Sequence, residues 1–139
     1  MHATFALFAD SANLSQDGKL NILGVFDALQ VMSLPAMHPR AHLVLHLKGS
    51  PDDVGTHTVG FRWLSPNGQE LWTSTGELNV GPPAPGATGM DLPLIAQLDL
   101  PLDAAGDYTM AIALDGQPAT DVTLHVRTAV KMPTASIFS

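Results

Sequence analysis

Leu102-Asp103-Ala104-Ala105-Gly106-Asp107-Tyr108-Thr109-Met110-Ala111-Ile112-Ala113-Leu114-Asp115-Gly116 decides the fold. Its second half alternates: Tyr108, Met110, Ile112 and Leu114 leave one face, and Thr109, Ala111 and Ala113 leave the other. Successive side chains of a strand point to opposite faces, so this period of two predicts a half-buried strand and not a helix. Asp115-Gly116 tolerates the positive φ angles of a type I′ turn, so residues from 117 onward read as the returning arm of a hairpin. At the other end, Gly106-Asp107-Tyr108 entering a strand resembles a tyrosine corner. There a Tyr hydroxyl bonds back to upstream backbone and pins a crossover between two packed sheets. Tyr108 is the chain's one tyrosine.

The same period recurs on both sides of this stretch. Ala41, Leu43, Leu45 and Leu47 share a face, opposite His42, Val44 and His46. His57, Val59, Phe61 and Trp63 stack, as do Trp72, Leu78 and Val80. Leu92, Leu94, Ala96, Leu98 and Leu100 form another apolar face, and Val122, Leu124 and Val126 the last. Turn signals separate these runs. Ser65-Pro66-Asn67-Gly68 places Pro where φ is already near −65° and Gly where a left-handed residue is wanted, and Gln16-Asp17-Gly18-Lys19 closes a hairpin between strands near 4–10 and 19–26. Asp27 to Val31 reads as one short turn. Turn signals every ~8–12 residues with no amphipathic helix predict an all-β, immunoglobulin-like antiparallel two-sheet sandwich of about seven or eight strands, with a jelly-roll or C2-like sandwich as the alternative. The chain of 139 residues fits one domain, taken as residues 1–127. Residues 128–139 form a tail that is frayed or docked on a neighbouring subunit. Gly81-Pro82-Pro83-Ala84-Pro85-Gly86-Ala87-Thr88-Gly89 lacks three backbone donors and reads as an exposed connection, or as a recognition loop.

Composition narrows the function classes. Six Lys and Arg against thirteen Asp and Glu give a formal net charge of −7, which argues against nucleic-acid binding and against docking to anionic membranes. No apolar run approaches the ~18 residues of a membrane span. The apolar start, Phe5 to Ala9, has no preceding Lys or Arg and meets Asp10, so a secretion signal is not expected and the cytoplasm is. The absence of Cys fits that compartment and excludes disulfides, thiolate catalysis and Cys-based zinc sites. Charged residues are only 14%, against about 25% in ordinary soluble domains, which points to a surface partly covered by a partner or another copy.

No catalytic signature is present. There is no Gly-x-Ser-x-Gly elbow, Gly18-Lys19 lacks the rest of a phosphate-binding loop, and residues 10–18 have the wrong oxygen spacing for a calcium loop. His42 and His46 lie on one strand roughly 13 Å apart, so they cannot chelate one ion without His57 or a carboxylate from elsewhere. The histidines His2, His38, His42, His46, His57 and His125 therefore read first as surface or interface residues. Asp52-Asp53 reads as a solvated turn. Glu70 and Glu77 should face opposite sides if no bulge intervenes, which disfavours a carboxylate pair. Trp63 shares its parity with Val59 and Phe61 and reads as core, whereas Trp72 shares a face with Ser74 and Gly76 and is open to a ligand-stacking role.

Ala9-Asp10-Ser11-Ala12-Asn13, then Gly18-Lys19-Leu20-Asn21-Ile22-Leu23-Gly24-Val25-Phe26-Asp27, then His38-Pro39, with Gly106-Asp107-Tyr108 and Asp115-Gly116 later, resembles an uncharacterised family of small bacterial proteins. The resemblance implies a compact β-sandwich and brings no activity with it. Gly24 suits a bulge or a close backbone approach, and Asp10 and Asp27 suit turn capping. The resulting expectation is a non-catalytic binding or assembly module that self-associates or meets a protein partner, with no cofactor, no metal and no catalytic residue assigned. The alternatives are a small-ligand or carbohydrate binder using Trp72 and the 81–89 loop, and a metal-dependent enzyme built on His42, His46 and His57.

Overall fold

The alternating segments become strands, and the Gly-centred turns join them. The computed structural model describes residues 1–129. Its elements are β1 (His2–Leu14), β2 (Leu20–Phe26), β3 (Ala28–Val31), β4 (Ala36–Gly49), β5 (Gly55–Leu64), β6 (Glu70–Val80), β7 (Met90–Leu102), β8 (Gly106–Leu114) and β9 (Gln117–Thr128), with one 3₁₀ turn at Pro51–Asp53. They form two sheets, ordered β2-β1-β4-β7 and β3-β9-β8-β5-β6. The architecture is the all-β, immunoglobulin-like sandwich that the periodicity predicts. Of the expected tail, residues 128–139, all but the first two lie outside the described residues, and β9 itself runs to Thr128.

Two details correct the sequence reading. The sandwich has nine strands among the described residues, not seven or eight, and it is not wholly antiparallel. The stretch read as a short turn, Asp27 to Val31, holds the extra strand β3, which pairs in parallel with β9 through Ala28↔His125 and Val31↔Thr128. Four residues are too few for a period of two to register. Their partner lies at the far end of the chain, where a local pattern cannot reveal it.

The core lies between the sheets. Phe8, Leu43, Leu45, Leu47, Leu100 and Leu102 meet Trp63, Tyr108, Met110, Ile112, Leu124 and Val126, all fully buried. Trp63 stacks on Tyr108 with ring centres 5.2 Å apart, and Phe8 meets Trp63 edge-on at 6.1 Å. Trp63 Nε1 donates to the Pro101 carbonyl at 2.9 Å, tying β5 to β7 across the core. The tyrosine corner is present: the Tyr108 hydroxyl accepts from the amides of Asp103 (2.8 Å) and Ala104 (2.9 Å). The Asp115-Gly116 turn has both residues at positive φ, 50° and 79°, as a type I′ hairpin requires.

Candidate functional site

The outward face of the β2-β1-β4-β7 sheet is less polar than a solvated sheet face should be. Pairing registers place three rows on it: Phe5–His46–Pro93, Leu7–Val44–Ile95 and Ala9–His42–Gln97. Val44 and Ala9 are fully buried, yet neither belongs to the core between the sheets. The β1–β2 hairpin stands over the Phe5–His46–Pro93 end of this face. Beyond Ala9, β1 leaves β4 and pairs with β2 alone, from Ser11↔Leu23 to Leu14↔Leu20. The departure falls at Asp10 and Gly24. Gly24 adopts φ +72°, a left-handed backbone that favours glycine, and a Cβ there would run into the Asp10 side chain.

Between sheet and hairpin lies a cleft of about 490 Å³. Phe5, His46, Asp91 and Pro93 of the sheet line one side, and Gly18, Lys19, Leu20 and Ile22 of the hairpin the other. Phe5 stacks on His46 with centroids 5.2 Å apart and planes 3° from parallel. His46 Nδ1 meets Thr4 Oγ1 at 2.5 Å, which fixes the ring, and its Nε2 lies 3.5 Å from Asp91 Oδ1. Lys48 Nζ contacts that same Asp91 oxygen, and its ammonium, followed by the field of His46, holds the Asp91 carboxyl below its usual range. Lys19 pairs with Asp17 at 3.2 Å across the turn. The rim charges are thus matched, and the interior is apolar and aromatic.

The residues singled out from sequence are dispersed. His42 and His46 sit on the outward face of one sheet, while His57 sits on β5 of the other. His57 is engaged at both nitrogens, Nδ1 to Asp115 Oδ2 (2.7 Å) and Nε2 to the Asp53 carbonyl (2.6 Å). The metal-enzyme alternative loses its ligand set, and among the described residues no three His, Asp or Glu side chains converge as a metal would need. His38 packs edge-on to Phe26, His125 bonds Asp107 at 2.7 Å, and His2 is exposed. Trp72 stands directly opposite Trp63 and is half-buried, with Nε1 lacking a hydrogen-bond partner among the described residues. The 81–89 segment links β6 to β7, and so crosses between the sheets. It leaves β6 at Val80, eight residues and about 26 Å of extended strand beyond Trp72, so the two do not form one site. Glu70 and Glu77 share the outward face of their sheet, because a bulge after Glu70 restores their parity; Glu70 pairs with Arg62 at 3.2 Å.

Sequence reasoning missed the cleft. A signal was available in Gly24, an unneeded glycine within an apolar strand, with Asp10 at the matching place in its hairpin partner.

The hairpin also forms one free edge of its sheet. β2, Leu20-Asn21-Ile22-Leu23-Gly24-Val25-Phe26, contains no charge and no proline. Leu23 is 73% exposed and Val25 61%. The opposite edge, β7, carries Pro93, Pro101, Asp91 and Asp99, all devices that block strand addition. In the other sheet β6 carries Glu70 and Glu77, and β3 has four residues.

No helix among the described residues is long and apolar enough to cross a membrane. No curated protein sequence matches the chain. Among solved structures, an immunoglobulin-like protein from Pseudomonas aeruginosa is similar, with 10% identity and a TM-score of 0.38 over 88% of this chain and 92% of that one. A family model matches residues 4–127, and the chain accordingly belongs to DUF6941, a family of unknown function.

Proposed function

We propose that the protein is a non-catalytic assembly module that self-associates through β2. The observation that carries this reading is the undefended edge: seven residues without charge or proline, bearing the exposed Leu23 and Val25. A free strand edge presents unpaired N–H and C=O groups. Two antiparallel copies of one edge satisfy each other under a two-fold axis, so a second copy of this chain is the natural occupant. The low charged fraction of 14% points the same way.

Sedimentation equilibrium on the full chain tests the proposal. The wild type should sediment as a dimer, and Leu23→Lys/Val25→Lys as a folded monomer with an unchanged circular dichroism spectrum. A wild type that stays monomeric at high micromolar concentration, or a double variant that stays dimeric, overturns it.

A further inference from the structure

We propose that the cleft beneath the β1–β2 hairpin binds a small, uncharged aromatic molecule that carries one N–H or O–H donor. This rests on the underside of the hairpin, and so stands independently of any pairing through the β2 edge.

The floor sets the shape of the ligand. Phe5 and His46 form a stack of two rings 3° from parallel, and Phe5, 38% exposed, lines the cleft. A flat ring laid against such a pair gains offset stacking, and Leu20, Ile22 and Pro93 supply aliphatic contact on its other sides. The cleft volume of about 490 Å³ lies within the range of small-molecule sites and suits one or two fused rings. That size favours a free molecule over a peptide segment, which would need a longer groove.

The rim sets the charge. Lys19 is paired with Asp17, and Asp91 with Lys48, so neither an anion nor a cation finds an unmatched countercharge. One acceptor is left over. Lys48 and His46 both make their closest approach to Asp91 through Oδ1, and no side-chain hydrogen bond among the described residues ends on Oδ2. A donor on the ring edge can reach that oxygen, and a hydrogen bond to a carboxylate is stronger than one between neutral groups.

The test is a titration of ¹⁵N-labelled protein with indole, 1-methylindole and N-acetyl-tryptophanamide, followed by amide chemical shifts. Indole should shift the amides of Phe5, His46, Leu20 and Ile22 in one saturable process. 1-Methylindole, which keeps the rings and lacks the donor, should bind about tenfold more weakly, as expected for the loss of one such bond. Phe5→Leu, a change at an exposed position, and Ile22→Trp, which fills the cleft from above, should each abolish the indole shifts while the remaining spectrum stays that of a folded protein. Indole shifts scattered away from the cleft, equal affinity for 1-methylindole, or unchanged binding in both variants would overturn the proposal. Tighter binding of N-acetyl-tryptophanamide than of indole would also overturn it, by making a peptide side chain the occupant.

Discussion

The hydroxyl of Tyr108 lies 2.8 Å from the amide nitrogen of Asp103, five residues earlier, and it accepts that N–H where the chain crosses from one sheet to the other. The Ala104 amide donates to the same oxygen at 2.9 Å. Tyr108→Phe keeps the ring on Trp63 but leaves two amides of the crossover without their acceptor. An unmet buried group costs about 1–3 kcal/mol, and these part-buried amides can turn partly toward water, so a loss of about 1–2 kcal/mol in urea unfolding is expected. A loss below about 0.5 kcal/mol would mean that the corner decorates the crossover without holding it.

Gly24 makes a separable prediction. Gly24→Ala forces a side chain onto a left-handed residue, at about 1–3 kcal/mol, and drives a Cβ into Asp10. In an Asp10→Ala background the clash with the carboxyl group is removed, while the tight approach to the residue 10 Cβ and the backbone part stay. The cost of Gly24→Ala should therefore fall by about 1 kcal/mol there, read as the coupling in a double-mutant cycle. A zero coupling would show that the Asp10 side chain moves aside freely.

The two tryptophans should respond differently to replacement by phenylalanine. Trp63 is fully buried and its Nε1 donates to Pro101, so Trp63→Phe opens a cavity and strands a carbonyl, at about 2–4 kcal/mol. Trp72 has a buried Nε1 that bonds nothing among the described residues. Trp72→Phe removes this unmet donor along with some contact area, and the two effects should cancel to within about 1 kcal/mol. Chemical denaturation of both variants makes the comparison.

His57 gives the fold a dependence on pH. The Asp115 carboxylate, then the Asp53 carbonyl, raise the His57 pKa above its ordinary 6.5, because both ring nitrogens face acceptors. A group raised in the folded state contributes fully below its unfolded pKa, and the contribution is lost as pH rises through the folded value. Asp115 is the mirror case: His57, then the Thr58 amide, lower its pKa below 3.8, so its contribution is lost as pH falls through that lowered value. The pair is therefore at full strength between about pH 4 and 6.5. The melting temperature of the wild type should fall between pH 6 and pH 9 by more than that of His57→Gln, and parallel curves would refute the assignment.

Much of the sandwich was legible because its long strands alternate cleanly. The face of Tyr108, Met110, Ile112 and Leu114, and that of Leu43, Leu45 and Leu47, are buried as their parity demands. Asp115-Gly116 and Tyr108 marked a turn and a crossover because each needs a residue type that few others can replace. The cleft was not legible. It depends on the hairpin lying opposite Phe5 and His46, a juxtaposition of residues such as Ile22 and Pro93 around one cleft that no local pattern encodes. The split of His42 and His46 from His57 was equally hidden, because sheet membership is a property of topology. The parity of Glu70 and Glu77 turned on one bulge, and a single inserted residue reverses every side chain after it.

The parallel pairing of β3 with β9 also bears on the order in which the molecule can be assembled. Ala28 pairs with His125, so β3 has no partner until the residues of β9 exist. Closing so long a loop is entropically costly and slow, and it cannot begin while the C-terminal strand is still within the ribosome. The pairing therefore waits for β9, and a product truncated before Gln117 would expose the edges of β8 and β3 together, leaving two places for aggregation to start.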